Sequence, residues 1–169
     1  SANIMLLPKK TLGILDFQDM KIGPINYDLA SLLTDHYVHH DDLTIKSCIK
    51  KFYKNTIESR YKNQLSEQQM IKLTHIVAIQ RHLKNIGVFS RLFFNHKEHY
   101  IKHIPGMMHR LKYLCRDHQH INKLPDILWS PQRKNRFIEG IVKHCKTKGV
   151  AQLDDILSTV HVKKFDEIK

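Results

Sequence analysis

Three cysteines, Cys48, Cys115 and Cys145, are all that the 169 residues contain, and no two stand at C-x-x-C spacing. An odd number so widely separated suggests neither a disulfide framework nor a zinc site and fits a reducing, cytoplasmic setting. Long hydrophobic runs are missing as well. No stretch approaches the roughly 18 apolar residues of a membrane span, and the first residues lack the basic and long apolar regions of a signal peptide. A soluble protein with no membrane partner is expected. Acidic residues are outnumbered, 16 against 28 lysines and arginines, for a net charge of +12. That imbalance favours phosphates, nucleic acid or acidic partners in a salt-sensitive way and says nothing about fold. Neither repeats nor low-complexity segments occur.

What is present suffices for a core: 41% of the residues are apolar, enough for one domain or a large part of a bigger protein. The charge is uneven, since the chain up to His40 carries three lysines and four aspartates and the whole basic excess lies later. "NIMLLP" and "TLGILDF", split by Pro8-Lys9-Lys10, predict two short strands joined by a tight turn. After Gly23 and Pro24 the pattern turns helical. Tyr27, Ala30, Leu33 and Tyr37 begin a helix with Asn26 as its N-cap. A second helix is predicted from Asp42 to about Tyr61, with a stripe of Leu43, Ile45, Ile49, Phe52, Tyr53 and Ile57. Ser66 and Gln69 form a capping box that opens a longer helix through Met70, Leu73, Val77, Leu83, Phe89 and Phe93. Gly87 inside it suggests a close packing contact. Pro105 suits the first turn of a helix carrying Met108, Leu111, Leu114 and Cys115. Beyond Asn122 the pattern shows Trp129, a break at Pro131, a helix near Lys134 to Lys146 and an amphipathic piece from Ala151 to Val160.

The opening stretch carries the chemistry. An Asn and an Asp at the ends of adjacent strands can share a divalent ion through their oxygens, the hard ligands that Mg²⁺ takes while keeping waters and phosphates in its other positions. "SANIMLLPKKTLGILDFQDMKIGPINYDLASLL" resembles the middle of an aminoglycoside phosphotransferase-like kinase, a relative of choline kinases and distantly of protein kinases. "LGILDFQDMKIGPINYDLASLL" and "IQRHLKNIGVFSRL" are similar to blocks of the bacterial N-acetylmuramate and N-acetylglucosamine anomeric kinases of cell-wall sugar recycling. The resemblance runs from Ser1 to about Leu114. It implies a mostly α chain, the helical C-lobe of a protein-kinase-like fold with a short N-terminal β-hairpin, over residues 1–120, followed by a helical extension over 121–169.

Carried over residue by residue, the resemblance makes Asn3 the last residue of the H-x-D-x-x-x-x-N catalytic loop and Asp16 the aspartate of the I-D-F type motif. Both would hold Mg²⁺ and orient the phosphates of ATP. Asp19 is a further candidate for metal or substrate contact, and Asp28 would brace the catalytic loop as structural support. Arg81 and Arg91, in the second block, are candidates to meet the acceptor's carboxylate or the phosphates. The general-base Asp, the His before it and the glycine-rich nucleotide lobe do not occur in the 169 residues. The expectation is therefore the C-terminal part of a sugar kinase, without turnover by itself, whose missing N-terminal part is a partner. A bare apolar surface where that part would pack leads to an expected homo-oligomer.

Plainer readings stand beside these. Asn3 and Asp16 are also what a terminal residue and a strand-end turn look like, and arginines at helical spacing ordinarily form a solvated face. His36, His39 and His40 include an i, i+4 pair without an evident third zinc ligand. "HRLKYLCRDHQH" and "SPQRKNR" mix cations and aromatics, so the competing class is a non-enzymatic basic helical module binding nucleic acid or another polyanion, although no recognition-helix signature accompanies them.

Overall fold

The computed structural model describes residues 4–15, 22–36, 38, 40–61, 64–149, 156 and 158. These residues are mostly helical, with one two-stranded antiparallel sheet. The chain divides into two compact units, Ser1–Ala78 and Ile79–Lys169.

The first unit opens with strands β1 (Ile4–Leu6) and β2 (Leu12–Ile14), where the alternating sequence puts them. Ile4 pairs with Ile14, Met5 with Gly13 and Leu6 with Leu12. The turn between them closes through Leu7 N–H donating to Thr11 O at 2.8 Å. Lys9 and Lys10 both take the left-handed region, at φ 64° and 59°, which costs residues with a Cβ about 1–2 kcal/mol each. Helix α1 (Tyr27–Leu33) follows, then α2 (Asp42–Phe52), a π turn over Tyr53–Ile57 and α3 (Glu58–Tyr61). Asp41 caps α2 by accepting from Thr44 N–H at 2.6 Å, and that bond holds its carboxyl below the usual carboxylate range.

The π turn has a cause in the sequence. Ile45, Ile49, Tyr53 and Ile57 stand four apart, a spacing that drifts by about 40° per step around an ideal helix. Widening the turn over Tyr53–Ile57 takes up the drift. All four side chains reach the core of the first unit with Leu33 and Met70, and the Tyr53 hydroxyl donates to Leu65 O at 2.9 Å. Leu43, placed on the same stripe by sequence, is instead exposed.

Helix α4 (Glu67–Phe94) begins at the predicted capping box. Ser66 N–H donates to Gln69 Oε1 at 2.8 Å and Gln69 N–H donates to Ser66 Oγ at 3.2 Å. In the second unit a 3-10 turn (Glu98–His103) leads into α5 (Ile104–Cys115), which has Pro105 in its first turn as expected and buries Met107, Met108, Leu111, Leu114 and Cys115. Two short-range features differ from the sequence reading. A small helix, α6 (Leu124–Leu128), precedes Trp129, and Pro131 starts α7 (Pro131–Lys148) rather than breaking the chain. Proline at the first helical position gives up no intrahelical bond, so it begins helices as readily as it ends them. The His144 ring of α7 sits 5.1 Å from that of Phe93 and 5.5 Å from that of Phe94, and Gly149 closes α7 at φ 64°. The piece expected over 151–160 lies outside the described residues except for Ile156 and Ser158.

Gly87 corrects another expectation. A Cβ built there meets nothing within 4 Å, so no packing contact requires glycine. Gly87→Ala is expected to raise stability by about 0.5–1 kcal/mol through backbone entropy and helix propensity. A thermal melt reads this as a midpoint about 1–4 °C higher, and a lower midpoint would mean that the position is in fact crowded.

Candidate functional site

Asn3, Asp16 and Asp19 lie outside the described residues. What is described is the scaffold next to them in sequence. The register pairs Ile4, which follows Asn3, with Ile14, two residues before Asp16. The same register defines a face. Ile4 and Leu6 on β1 and Leu12 and Ile14 on β2 alternate to one side of the ribbon, and they are 38%, 73%, 68% and 72% exposed. On the other side Leu7 covers Gly13, where a built Cβ would come within 3.1 Å of Leu7 Cδ1. Leu15, Ile22 and Ile25 are exposed too.

From Ile22 the chain runs without regular structure to a turn in which Tyr27 N–H donates to Pro24 O at 2.9 Å. Asn26 stands at the N-cap of α1, as the sequence suggests, but makes no cap bond with its side chain. Its amide is buried and donates through Nδ2 to Thr74 Oγ1 at 3.3 Å, and the Thr74 hydroxyl donates in turn to Met70 O at 2.7 Å. This bond joins residues 48 apart and fixes the start of α1 on α4. Asp28 therefore sits in the first turn of α1, exposed and near the positive end of the helix dipole.

Arg81 is half-buried and Arg91 exposed, both on α4. Ten positions apart, they point about 80° from one another around the helix, so the structure does not bring them onto one stripe. Both arginines of "HRLKYLCRDHQH" are engaged within the chain: Arg110 is buried with its guanidinium 5.8 Å from the Tyr113 ring centroid, and Arg116 lies 4.8 Å from the same ring and 3.2 Å from Asp117. Among the described residues, which do not include Asp16 or Asp19, no group of three His, Cys, Asp or Glu could hold a metal. His39 is likewise outside the described residues, while burial pushes His36 below its ordinary pKa and Asp35, 3.3 Å away, opposes the shift. No described helix is long and apolar enough to cross a membrane.

The tie between Asn26 and Thr74 had no signal in the sequence. Thr74→Val is expected to leave the Asn26 amide buried without its acceptor, at a cost of about 1–3 kcal/mol, whereas Thr74→Ser should stay near the parent. Denaturant midpoints of the two variants test this, and equal midpoints would remove the bond from any positioning role.

Residues 1–54 match the model of the phosphotransferase enzyme family, so the resemblance read from the first residues is borne out. The chain is similar to the N-acetylmuramate/N-acetylglucosamine kinase of Neisseria meningitidis serogroup B, 27% identical over 125 residues that cover 73% of this chain and 37% of that protein. It is 25% identical over 127 residues to the kinase of the same name from Pseudomonas aeruginosa, covering 75% of this chain and 38% of that protein. A third, from Pseudomonas putida, is 28% identical over 80 residues, 47% of this chain and 24% of that protein. The chain thus spans less than two fifths of the length of these relatives. No solved structure matches it.

Proposed function

We propose that this chain carries the metal-binding hairpin and the acceptor-side helices of a cytoplasmic, ATP- and Mg²⁺-dependent phosphotransferase acting on a sugar hydroxyl, an amino sugar of cell-wall recycling. The observation that carries the reading is the family match over residues 1–54, the stretch holding Asn3, Asp16, Asp19 and Asp28. The pairing of Ile4 with Ile14 supports it, because it joins the strand that Asn3 precedes in sequence to the strand that Asp16 follows two residues later.

An amide oxygen from Asn3 and a carboxylate oxygen from Asp16 are hard donors of the kind Mg²⁺ accepts, so these residues would hold the ion. Bound there, Mg²⁺ would neutralise phosphate oxygens of ATP. Asp19 adds negative charge in the same segment, and Asp28, in the first turn of α1, would brace the catalytic loop. Arg81 and Arg91 offer charge to an anionic acceptor.

The 169 residues contain no H-x-D-x-x-x-x-N sequence and no glycine-rich loop, so in this reading the proton acceptor and the nucleotide lobe come from a part of the protein that these residues do not include. The chain alone is expected to show no sugar-dependent consumption of ATP. Adding, as a separate polypeptide, the portion of the Neisseria kinase that precedes its similarity to this chain is expected to restore turnover with N-acetylglucosamine. Asp16→Ala should then lower that turnover by about 10²-fold or more. Turnover by the chain alone, or restored turnover indifferent to Asp16→Ala, would end this reading.

The same reading assigns the exposed face of Ile4, Leu6, Leu12 and Ile14 to a packing role, filled in the isolated chain by a second copy. Helix α4 buries Met70, Ala78, Ile79, Phe89 and Phe93 but exposes Leu73 and Ile76, so its apolar residues are a second candidate for this role. Association through apolar area works against the repulsion of a +12 chain, so it should strengthen as salt screens that charge. Sedimentation from low to high salt is expected to show a growing dimer fraction, abolished by Leu12→Lys with helical content unchanged. A monomer at every salt concentration would show that no copy covers the face. Polyanion binding driven by charge alone would show the reverse salt trend.

A further inference from the structure

The second unit carries a cavity of about 450 Å³, open to solvent, between α5, α6 and α7, within the size range of small-molecule sites. We infer that this cavity binds a phosphorylated monosaccharide, on residues separate from all those assigned to metal or acceptor above. Met108, on α5, is buried and forms apolar wall, and Lys112 stands one turn further along the same helix face. Lys134 and Asn135 enter from the first turns of α7, and Asp126 and Trp129 from α6 and the residue after it.

Each group has a chemical counterpart in such a ligand. Lys112 and Lys134 come from different helices, and among the described residues neither is paired with a carboxylate. Two ammonium groups match a phosphate monoester, which carries a charge of about −1.5 to −2 at neutral pH, better than they match a single carboxylate. The Trp129 indole, held edge-on by the Phe137 ring at 5.7 Å, offers a flat apolar wall for the C–H face of a pyranose. Asp126 accepts and Asn135 both donates and accepts hydrogen bonds, the mixed capacity that ring hydroxyls require. An inorganic anion would leave the aromatic wall unused, and a neutral sugar would leave the lysines unused.

Trp129 is the chain's only tryptophan, so indole fluorescence reports on this cavity directly. Titration of the full chain with glucose 6-phosphate near physiological salt is expected to give a saturable change, with glucose and inorganic phosphate each at least about tenfold weaker, the factor set by one lost charge-assisted or ring contact. Lys112→Ala and Lys134→Ala should each weaken the glucose 6-phosphate titration by about tenfold. Lys72→Ala, which removes the same charge from an exposed position in the first unit, should leave it unchanged. Phosphate binding as well as the ester, glucose binding as well as the ester, or Lys72→Ala weakening it as much as the cavity variants would each overturn the inference. The readout is binding, so it stands or falls separately from any kinase activity of the reassembled protein.

Discussion

The buried hydrogen bond from Asn26 to Thr74 is the constraint on which the order of the first unit depends. The segment between the hairpin and α1 has no regular structure from Ile22 to Pro24 and exposes Ile22 and Ile25, so it contributes little of its own to stability. An amide taken out of water must find a partner or cost about 1–3 kcal/mol. Asn26 finds one on α4, whose own start is set by the reciprocal bonds of Ser66 and Gln69. The capping box thus fixes where α4 begins, Thr74 stands two turns along it, and the start of α1 is placed accordingly. Asp28, two residues past Asn26 in the first turn of α1, is placed with it.

What could be read from sequence follows the range of the interaction involved. The hairpin, the capping box and Pro105 were legible because each is specified by residues within a few positions of one another. The helix over 42–61 was legible in extent, but the π turn within it emerges only when the four-residue spacing of Ile45, Ile49, Tyr53 and Ile57 is set against the 3.6-residue period. Asn26 was identified as a helix start correctly and given the wrong bond, since its acceptor is 48 residues away. Pro131 is ambiguous in sequence because proline signals both ends of helices, and α6 is too short to show a period. At Gly87 the composition of the helix hints at a contact, yet the structure leaves the position in open space.

The candidate site divides along the same line. Its residue types were legible through the family resemblance, and the family match covers the stretch that holds Asn3, Asp16, Asp19 and Asp28. The placement of Arg81 and Arg91 was not, because a shared helix does not imply a shared face. The cavity of the second unit was invisible in sequence: Lys112, Asp126, Trp129 and Lys134 come together only once α5, α6 and α7 have packed.

The hairpin is the element whose own energetics least explain its presence. Three residue pairs form its ladder, the turn puts two successive lysines in the left-handed region, and the apolar side chains of one face are largely in water. A two-stranded ribbon of this kind is marginal by itself, and the lysine conformations alone cost about 2–4 kcal/mol taken together. Such an element persists when surrounding contacts over-determine it, and strain of this sort gathers where geometry serves a function. The proposed role supplies a reason. Two oxygen donors that flank neighbouring strands in sequence would share one ion only while the register between Ile4 and Ile14 holds, and a slip by one residue would turn every side chain of the shifted strand to the other face. On this reading the exposed row of Ile4, Leu6, Leu12 and Ile14 is what fixes the register when it is covered, since a slipped strand would present Met5 or Gly13 to the covering surface instead.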